Sequence, residues 1–232
     1  MSAPVAAVVP AKDEAARVAA TVAALRSLAP VDLVVVVDDG STDGTHLAAA
    51  AAGALVVRHH RNRGKAAALT TGLLRVREEE TRKGGPAHLL LFADADLEGS
   101  ASALGPLLEP VRDGRADLSV ANLPPGRSSQ GGGRVVRYAQ TRIAALTGAQ
   151  ITQPLNGMRC LDPSAVAAAT PFAPGWGVEA AMLVDVLRAG LRVVEVPVSI
   201  SHRRTGTDWR GQLHRARQLR DVALALRARR ER

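Results

Sequence analysis

The sequence predicts an α/β fold in which helices flank a mostly parallel central sheet. Between residues 5 and 96, apolar runs of strand length alternate four times with stretches of helical periodicity, a pattern typical of a parallel sheet covered on both faces. The 232 residues suffice for one large core, and neither a linker nor an internal repeat divides them. We therefore expect a single domain, residues 1–232, with its ligand site where the strands end.

The first half of the chain contains four predicted strands. Val5–Val9 is an unbroken apolar run that ends at Pro10, as expected for a strand buried on both faces. Val18, Val22 and Leu25 recur at helical spacing in the next segment. The predicted elements are strands at 5–9, 32–37, 54–57 and from 89 onward, with helices at 14–28, from the turn at 44 to about 52, and at 66–80.

The second half is less regular. Its predicted elements are helices at 101–112, 135–147 and 178–189, strands at 116–121 and 191–200, and a basic amphipathic helix at 208–230. Residues 122–133 are rich in proline, glycine and serine, which predicts a mobile loop. This loop is either a plain connector or a lid over a ligand site, since long polar loops in compact domains are often functional.

The net charge of +8 is concentrated near the end of the sequence. Residues 203–232 contain ten arginines and three acidic residues, which leaves seven of the eight excess positive charges there. Trp209 is the only aromatic residue among them and no recognition motif accompanies it, so nucleic acid is not an expected partner.

The basic helix has an apolar face. That face either lies on an anionic membrane, or packs on the domain while the arginines are solvated. It consists of Trp209, Leu213, Ala216, Leu219, Val222 and Leu226.

Several features favour a cytoplasmic protein. Cys160 is the only cysteine, which excludes an intrachain disulfide and is expected to be a small buried side chain. The first residues lack the basic start and long apolar core of a signal peptide. No stretch approaches the ~20 apolar residues of a membrane span. Peripheral contact with the inner membrane surface, through the basic helix, stays open.

Two acidic residues end the apolar run that begins at Leu89. A buried strand cannot carry Asp94 and Asp96 in its middle, because an uncompensated buried charge is costly. They therefore belong at the carboxyl end of the strand, where their i, i+2 spacing directs both side chains toward one site. Two carboxylates there suit Mg²⁺ or Mn²⁺, with substrate phosphates completing the coordination. The alternative is a solvated acidic strand end.

A second polar turn follows the strand at 32–37. Its sequence is Asp38-Asp39-Gly40-Ser41-Thr42-Asp43-Gly44. One of the two leading acids can accept hydrogen bonds from a base or ribose. The hydroxyl and carboxylate residues that follow can cap the next helix. Alone, the segment also fits an ordinary Asp-Gly turn.

Four motifs in order resemble the family 2 glycosyltransferases and their relatives with the A-type nucleotide-sugar transferase fold. They are Pro10-Ala11-Lys12-Asp13-Glu14, Val37 to Thr45, Arg61-Asn62-Arg63-Gly64-Lys65 and Asp94-Ala95-Asp96. The resemblance implies a nucleotide pocket bordered by Pro10, Ala11 and Glu14, and a contact of Asp39 with the base or ribose. It further implies that Lys65 lies near the diphosphate and that Asp94 and Asp96, with Ala95 between them, bind the donor and its metal. Many family members have Tyr-Asn-Glu where this chain has Lys-Asp-Glu.

Two motifs of the second half resemble narrower groups. Gly175-Trp176-Gly177-Val178-Glu179, with His202-Arg203-Arg204 further on, is similar to glucosyl-3-phosphoglycerate synthases, which implies that His202 is a third metal ligand. Pro154 to Arg159 resembles polyprenyl-phosphate sugar transferases instead, and Arg159 is expected to add positive charge at the donor diphosphate.

Two residues of the first of these motifs have alternative roles. Glu179 is either a favourable residue at a helix start or the catalytic base for an acceptor hydroxyl. An inverting transfer needs such a base, whereas a retaining transfer does not need it in the same place, and the sequence does not fix which of the two occurs. Trp176 is either a packing residue or a platform for a sugar ring.

The resemblance implies metal-dependent sugar transfer from a nucleotide diphosphate-sugar, UDP-glucose foremost, to an unidentified small-molecule or lipid-phosphate acceptor. Residues 1–121 would bind the nucleotide and residues 122–232 the acceptor. One alternative is a sugar-phosphate nucleotidyltransferase, although the glycine-rich loop of those enzymes is absent after the first strand. The other is a non-catalytic nucleotide-sugar binding module. A homodimer is compatible with the sequence, which does not fix the oligomeric state.

Overall fold

A computed structural model describes residues 3–123, 133–200 and 209–230, the side chains of 209–215 excepted. These residues form one continuous seven-stranded sheet in the order β3-β2-β1-β4-β6-β5-β7. All pairings are parallel except those of β6, so the predicted fold class is confirmed. The strands are β1 Val5–Ala11, β2 Val31–Asp38, β3 Leu55–Arg58, β4 Leu89–Phe92, β5 Leu118–Asn122, β6 Arg159–Leu161 and β7 Val193–Pro197.

Helices cover both faces of this sheet. They are α1 Val18–Arg26, α2 Thr45–Ala51, α3 Lys65–Lys83, α4 Gly105–Arg112, α5 Arg134–Thr147, α6 Pro163–Ala169, α7 Val178–Arg188 and α8 Trp209–Arg230. Two short 3₁₀ segments, Glu98–Leu104 and Gly175–Gly177, lead directly into α4 and α7. The predicted loop at 122–133 lies mostly outside the described residues, and so does His202.

Strand β1 is an inner strand of the sheet and separates two hydrophobic cores. It pairs in parallel with β2 on one side and with β4 on the other. Ala6 and Val8 contribute to one core, whereas Val5, Ala7 and Val9 contribute to the other. Because successive side chains of a strand point to opposite faces, only an unbroken apolar run can fill both cores. This explains why the first strand was predictable from its sequence.

Two elements were not predicted. Strand β6 lies between β4 and β5 and runs antiparallel to both. It has only three residues and begins with Arg159, so it lacks the length and apolar pattern of the other strands. Helix α6 begins at Pro163, after Asp162, whose side chain accepts a hydrogen bond from the backbone N–H of Ala165 at 2.7 Å. This is an N-cap with proline at the first helical position.

Some boundaries also differ from the predictions. Helix α1 begins at Val18 instead of Glu14, because the chain first makes a turn in which Glu14 O accepts hydrogen bonds from the N–H groups of Arg17 and Val18. The helix predicted at 101–112 is α-helical only from Gly105. Before that residue the chain is a 3₁₀ segment, which begins at Glu98 with a positive φ of 50°.

Helix α3 approaches the sheet closely at Gly72. A Cβ atom at this position would collide with Cγ1 of Val8 on β1. Only glycine therefore allows α3 to lie this near β1. The first residue of α3 is Lys65, so this contact helps to set the position of Lys65 at the edge of the sheet.

Helix α8 packs on the domain through its second half. Val222 and Leu226 are fully buried in the core, whereas Leu219 is 36% exposed and Ala216 is exposed. Of the predicted apolar face, Trp209 and Leu213 have side chains outside the described part. Membrane contact stays a prediction for this helix. No helix within the described residues combines the length and apolarity that a membrane crossing requires.

The lone cysteine is a buried residue of β6. Cys160 is completely buried and free, and burial raises the pKa of its thiol well above the ordinary value. The neighbouring Asp162 raises it further. The prediction of a small buried side chain is confirmed.

Candidate active site at the carboxyl edge of the sheet

The loops after β1 and β2 are bonded to each other. Asp39 N donates to Ala11 O at 2.8 Å, directly beyond the last paired residues of the two strands. Ser41 Oγ accepts a hydrogen bond from Asp13 N at 2.9 Å, and the Asp13 carboxylate accepts one from Thr42 N at 2.9 Å. Ser41, Thr42 and Asp43 were expected to cap α2, whose N-cap residue is Gly44. Ser41 joins the two loops instead, whereas the Asp43 carboxylate accepts hydrogen bonds both from Thr45 N at 3.1 Å and from Ala15 N at 3.0 Å.

Pro10 and Glu14 flank the same edge. Pro10 is half-buried and lies within β1, opposite Val37 of β2. Glu14 N donates to Thr45 Oγ1 at 2.8 Å, while its carboxylate accepts from Arg17 Nε at 2.8 Å. The hydrogen bond that Arg17 donates to Glu14, together with the negative charge of Glu14, raises the pKa of Arg17. The structure thus places Pro10, Ala11 and Glu14 at and just beyond the carboxyl end of β1, and their contact with a nucleotide stays a prediction.

Asp39 holds the loop that leads into α3. Its carboxylate is buried and accepts hydrogen bonds from Arg63 N and Gly64 N, both at 2.8 Å. His59 Nδ1 donates to the same carboxylate at 2.7 Å, and the other ring nitrogen of His59 is 2.9 Å from Thr71 Oγ1. Asp39 therefore fixes the backbone beside Lys65. Its contact with a base or ribose stays a prediction.

The acid pair, Asp94 and Asp96, follows β4 at the same edge. Both residues are partly exposed, while Ala95 between them is buried. The buried Thr21 of α1 holds this turn from below, because its Oγ1 donates to Ala95 O and accepts from Glu98 N, both at 2.8 Å. Sequence reasoning missed Thr21, although a polar residue on the apolar face of a predicted helix is a signal of such an anchor.

Lys65 brings three parts of the chain together. Its Nζ lies 3.0 Å from Asp94 Oδ1 and 3.0 Å from Glu179 Oε1. Burial alone would lower the pKa of Lys65, but the two carboxylates outweigh it and raise the pKa above its ordinary value. Gly157 covers this cluster, since a Cβ there would meet Lys65 Nζ and come within 3.1 Å of Asp94 Oδ1. We call Lys65, Asp94, Glu179 and Gly157 the lysine cluster.

Glu179 enters the lysine cluster from the first turn of α7. The residue is only 6% exposed, so its carboxylate is nearly removed from solvent and its partner is a charged amine. A carboxylate near a helix N-terminus is also favoured by the helix dipole. The two roles predicted for Glu179, helix-start residue and site residue, are thus compatible.

Arg159 lies beneath this cluster and is only 1% exposed. Its guanidinium donates to the carbonyl oxygens of Asn156 at 2.8 Å, Glu179 at 2.7 Å and Pro154 at 2.8 Å. Burial lowers its pKa to about 10, against the opposing charges of Glu179 and Glu195. These bonds give Arg159 a structural role, and its contact with a phosphate stays a prediction.

The segment before β6 is held by residues that sequence reasoning did not identify. Glu195 of β7 accepts hydrogen bonds from Thr152 N, at 2.9 Å, and from Gln153 N, at 2.8 Å. Asn156 is buried and donates to Ala121 O at 2.8 Å. Each of these side chains bonds across a long sequence separation, so no local pattern reveals it.

The acid pair fits a divalent cation in its donor chemistry. Mg²⁺ typically takes one or two protein carboxylates and completes its octahedron with water and substrate phosphates. Asp94 and Asp96 supply two such groups at an accessible strand end. The described ranges contain no group of three or more His, Cys, Asp or Glu residues that could hold a metal, so within them the acid pair stands without a third protein ligand. The predicted third ligand, His202, lies outside these ranges.

Comparison with known families gives a clear match. The sequence pattern of glycosyl transferase family 2 matches residues 6–161, a stretch that contains β1 to β6 and the acid pair. It ends before α7 and therefore before Glu179.

Curated relatives extend the similarity into the second half. The chain is 31% identical over 211 residues to the glucosyl-3-phosphoglycerate synthase of Mycolicibacterium paratuberculosis, covering 81% of this chain and 61% of the relative. It is 30% identical over 234 residues to the synthase of Mycobacterium tuberculosis, covering 90% of this chain and 69% of the relative. The chain thus spans about two thirds of the length of these relatives.

Solved structures of the M. tuberculosis synthase have the same fold. A complex with Mn²⁺, UDP and phosphoglyceric acid superposes with a TM-score of 0.76 at 27% identity, covering 98% of this chain and 78% of that one. Complexes with Mn²⁺, UDP-glucose and phosphoglyceric acid, and with Mg²⁺ and UDP, both give 0.75. The cations in these neighbours are the two that the acid pair predicted.

Proposed function

The chain belongs to glycosyl transferase family 2, and we propose that it transfers glucose from UDP-glucose to a small phosphorylated hydroxy acid, with Mg²⁺ or Mn²⁺ as cofactor. Phosphoglyceric acid is the first acceptor to test, because it is bound in the synthase structures that resemble this chain. The observation that carries the proposal is the lysine cluster. It joins one residue of the acid pair, from the donor half, to Glu179, from the acceptor half, through a single amine.

The donor side of the site has a defined electrostatic task. Asp94 and Asp96 would hold the cation, which neutralises the diphosphate as it leaves. Lys65 stays protonated at neutral pH, because two carboxylates raise its pKa. Its fixed positive charge then stabilises the charge that develops on the leaving diphosphate.

The acceptor side needs a group to receive a proton. In the proposed step the acceptor oxygen forms a bond to the anomeric carbon, the bond from that carbon to the phosphate oxygen breaks, and UDP leaves. The hydroxyl proton passes to the carboxylate of Glu179, which must come within hydrogen-bond reach of the acceptor. In the structure this carboxylate lies 3.0 Å from Lys65 Nζ.

A turnover assay with the full chain tests this function. We expect UDP and a glucosylated acid in equal amounts from UDP-glucose and phosphoglyceric acid with Mn²⁺, and none with excess chelator. Glu179→Gln should lower kcat by about 10²-fold. The exposed Glu78→Gln on α3 is the matched control and should leave kcat unchanged, since Glu78 forms a surface ion pair with Arg75.

Other outcomes identify the alternatives. Transfer to a polyprenyl phosphate alone would assign a lipid acceptor. Formation of a nucleotide-sugar from UTP and glucose 1-phosphate would assign a nucleotidyltransferase. Metal-dependent binding of UDP-glucose without turnover on any acceptor would indicate a binding module. Each of these results contradicts the proposed reaction.

A further inference from the structure

The 3₁₀ segment Gly175–Gly177, which leads into α7 and Glu179, is held by α8. Trp176 N donates a hydrogen bond to Asp221 Oδ2 at 3.1 Å, across 45 residues of sequence. Gly175 has a φ of +68°, in the left-handed region that glycine adopts without strain. The turn thus presents the backbone N–H of Trp176 to α8.

Both glycines of the segment are required by the closeness of α8. A Cβ at Gly175 would collide with the carboxylate of Asp221. A Cβ at Gly177 would lie 2.7 Å from Asp221 O and would also collide with Cβ of Ala225. The backbone of the segment therefore rests directly on the helix, and a displacement of Asp221 would be transmitted to Glu179 two residues beyond Gly177.

Helix α8 is itself fixed to the domain independently of this contact. Val222 and Leu226 are fully buried in the core. At the far end of α7, Asp185 forms an ion pair with the buried Arg229 of α8, whose Nε lies 2.7 Å from Asp185 Oδ1. The helix thus contacts the start of α7 through Asp221 and its end through Arg229, whose backbone O also accepts a hydrogen bond from Arg188.

We propose that Asp221 is a positioning residue for Glu179: it anchors the segment Gly175–Gly177 on α8 and so sets where the carboxylate of Glu179 lies relative to Lys65 and the acceptor. This assignment rests on the role proposed above for Glu179. The basic helix is then a part of the active site's framework, in addition to any contact with a membrane. Asp39, Asp94 and Asp96 follow other elements, at the ends of β2 and β4, so we expect UDP binding to be retained when the segment moves.

The test combines a structural and a kinetic measurement on the full chain. The sequence has two tryptophans, so Trp209→Phe leaves Trp176 as the only one. In this background we compare Asp221→Ala with Asp221→Asn, which retains a hydrogen-bond acceptor. Asp185→Asn is the matched control, because it weakens the other contact between α7 and α8. The measurements are acrylamide quenching of Trp176, kcat and acceptor KM, UDP affinity by calorimetry, and Tm.

Asp221→Ala should raise the quenching constant of Trp176 and lower kcat by at least about tenfold, since misplacing a reacting group by about 1 Å can cost 10²-fold. The Kd for UDP should not change. Asp221→Asn should restore most of the kcat and the wild-type quenching. Asp185→Asn should lower Tm while leaving kcat and quenching unchanged at temperatures below the transition.

Two results overturn the proposal. Unchanged quenching in Asp221→Ala would show that the segment keeps its place without Asp221. Altered quenching with unchanged kcat, in an enzyme that Glu179→Gln inactivates, would show that the position of the segment does not matter for the reaction. If the background protein has no transferase activity at all, the proposed function fails, and the quenching data still decide whether Asp221 holds the segment.

Discussion

Arg159→Met separates a structural role for this arginine from a role in donor binding. The substitution keeps an unbranched apolar stem but removes three hydrogen bonds to backbone carbonyls. A buried acceptor that loses its partner costs about 1 to 3 kcal/mol, so three losses give about 3 to 9 kcal/mol. Methionine also avoids the cost of burying a charged guanidinium, the burial that lowers the pKa of Arg159 to about 10. The expected loss is therefore at the low end, about 3 to 5 kcal/mol.

Urea denaturation followed by circular dichroism measures this loss. The matched control is Arg115→Met, because Arg115 pairs with Asp113 at the surface, where both side chains are more than half exposed. An exposed ion pair contributes about 0 to 1 kcal/mol, so the control should change the free energy of unfolding little. Calorimetric titration with UDP and Mn²⁺, below the unfolding transition, measures donor affinity in the same proteins.

The structural role predicts a large loss of stability with a nearly unchanged Kd for UDP. The opposite pattern, a stability loss below about 1 kcal/mol together with a Kd raised tenfold or more, would refute it. That result would mean that Arg159 gives up its hydrogen bonds to the three carbonyls and binds the diphosphate, as predicted from the sequence.

Three further predictions concern the acid pair, the residue Thr21 that anchors its turn, and the dependence of stability on pH in the acid range. Asp96→Asn should abolish the Mn²⁺ dependence of UDP binding while Tm stays within a few degrees, and calorimetry that still shows metal-dependent binding would contradict the metal assignment. Thr21→Val keeps the volume but leaves Ala95 O and Glu98 N unpaired, so urea denaturation should show a loss of about 1 to 3 kcal/mol; no loss would mean that the turn after β4 needs no such anchor. The hydrogen bond from Arg192 lowers the pKa of Asp117, so its contribution to stability is present above the ordinary pKa of about 3.9 and is lost as the pH falls through the lower folded value. Asp117→Asn should therefore flatten the loss of stability below about pH 4, and an unchanged pH profile of unfolding would refute this linkage.

The parts of the fold that the sequence predicted are those with a local cause. Val5–Val9 and the run from Leu89 could be identified because strands buried on both faces must be apolar throughout. The acid pair could be placed at a strand end for the same reason, since charge is excluded from the strand itself. These arguments need only neighbouring residues.

The parts that escaped prediction depend on contacts between distant residues. Lys65 contacts Asp94 and Glu179, which lie 29 and 114 positions further along the chain. No pattern in the sequence indicates that one amine contacts both carboxylates. Arg159 was recognised as a motif residue, but its carbonyl partners depend on where β6 lies. Asp39 likewise binds the backbone of the loop before α3, which becomes visible only when the two loops are placed side by side.

The reversed direction of β6 has a consequence for how specificity can change in this architecture. In a wholly parallel sheet, only segments that follow strands reach the ligand edge. Because β6 runs the other way, the segment that precedes it, with Gly157, arrives at the same edge from the opposite chain direction. This segment is tied to the donor side, because any side chain at Gly157 would collide with Lys65 and crowd Asp94. A change of specificity through residues 151–158 would therefore have to keep Gly157 and its spacing from β6.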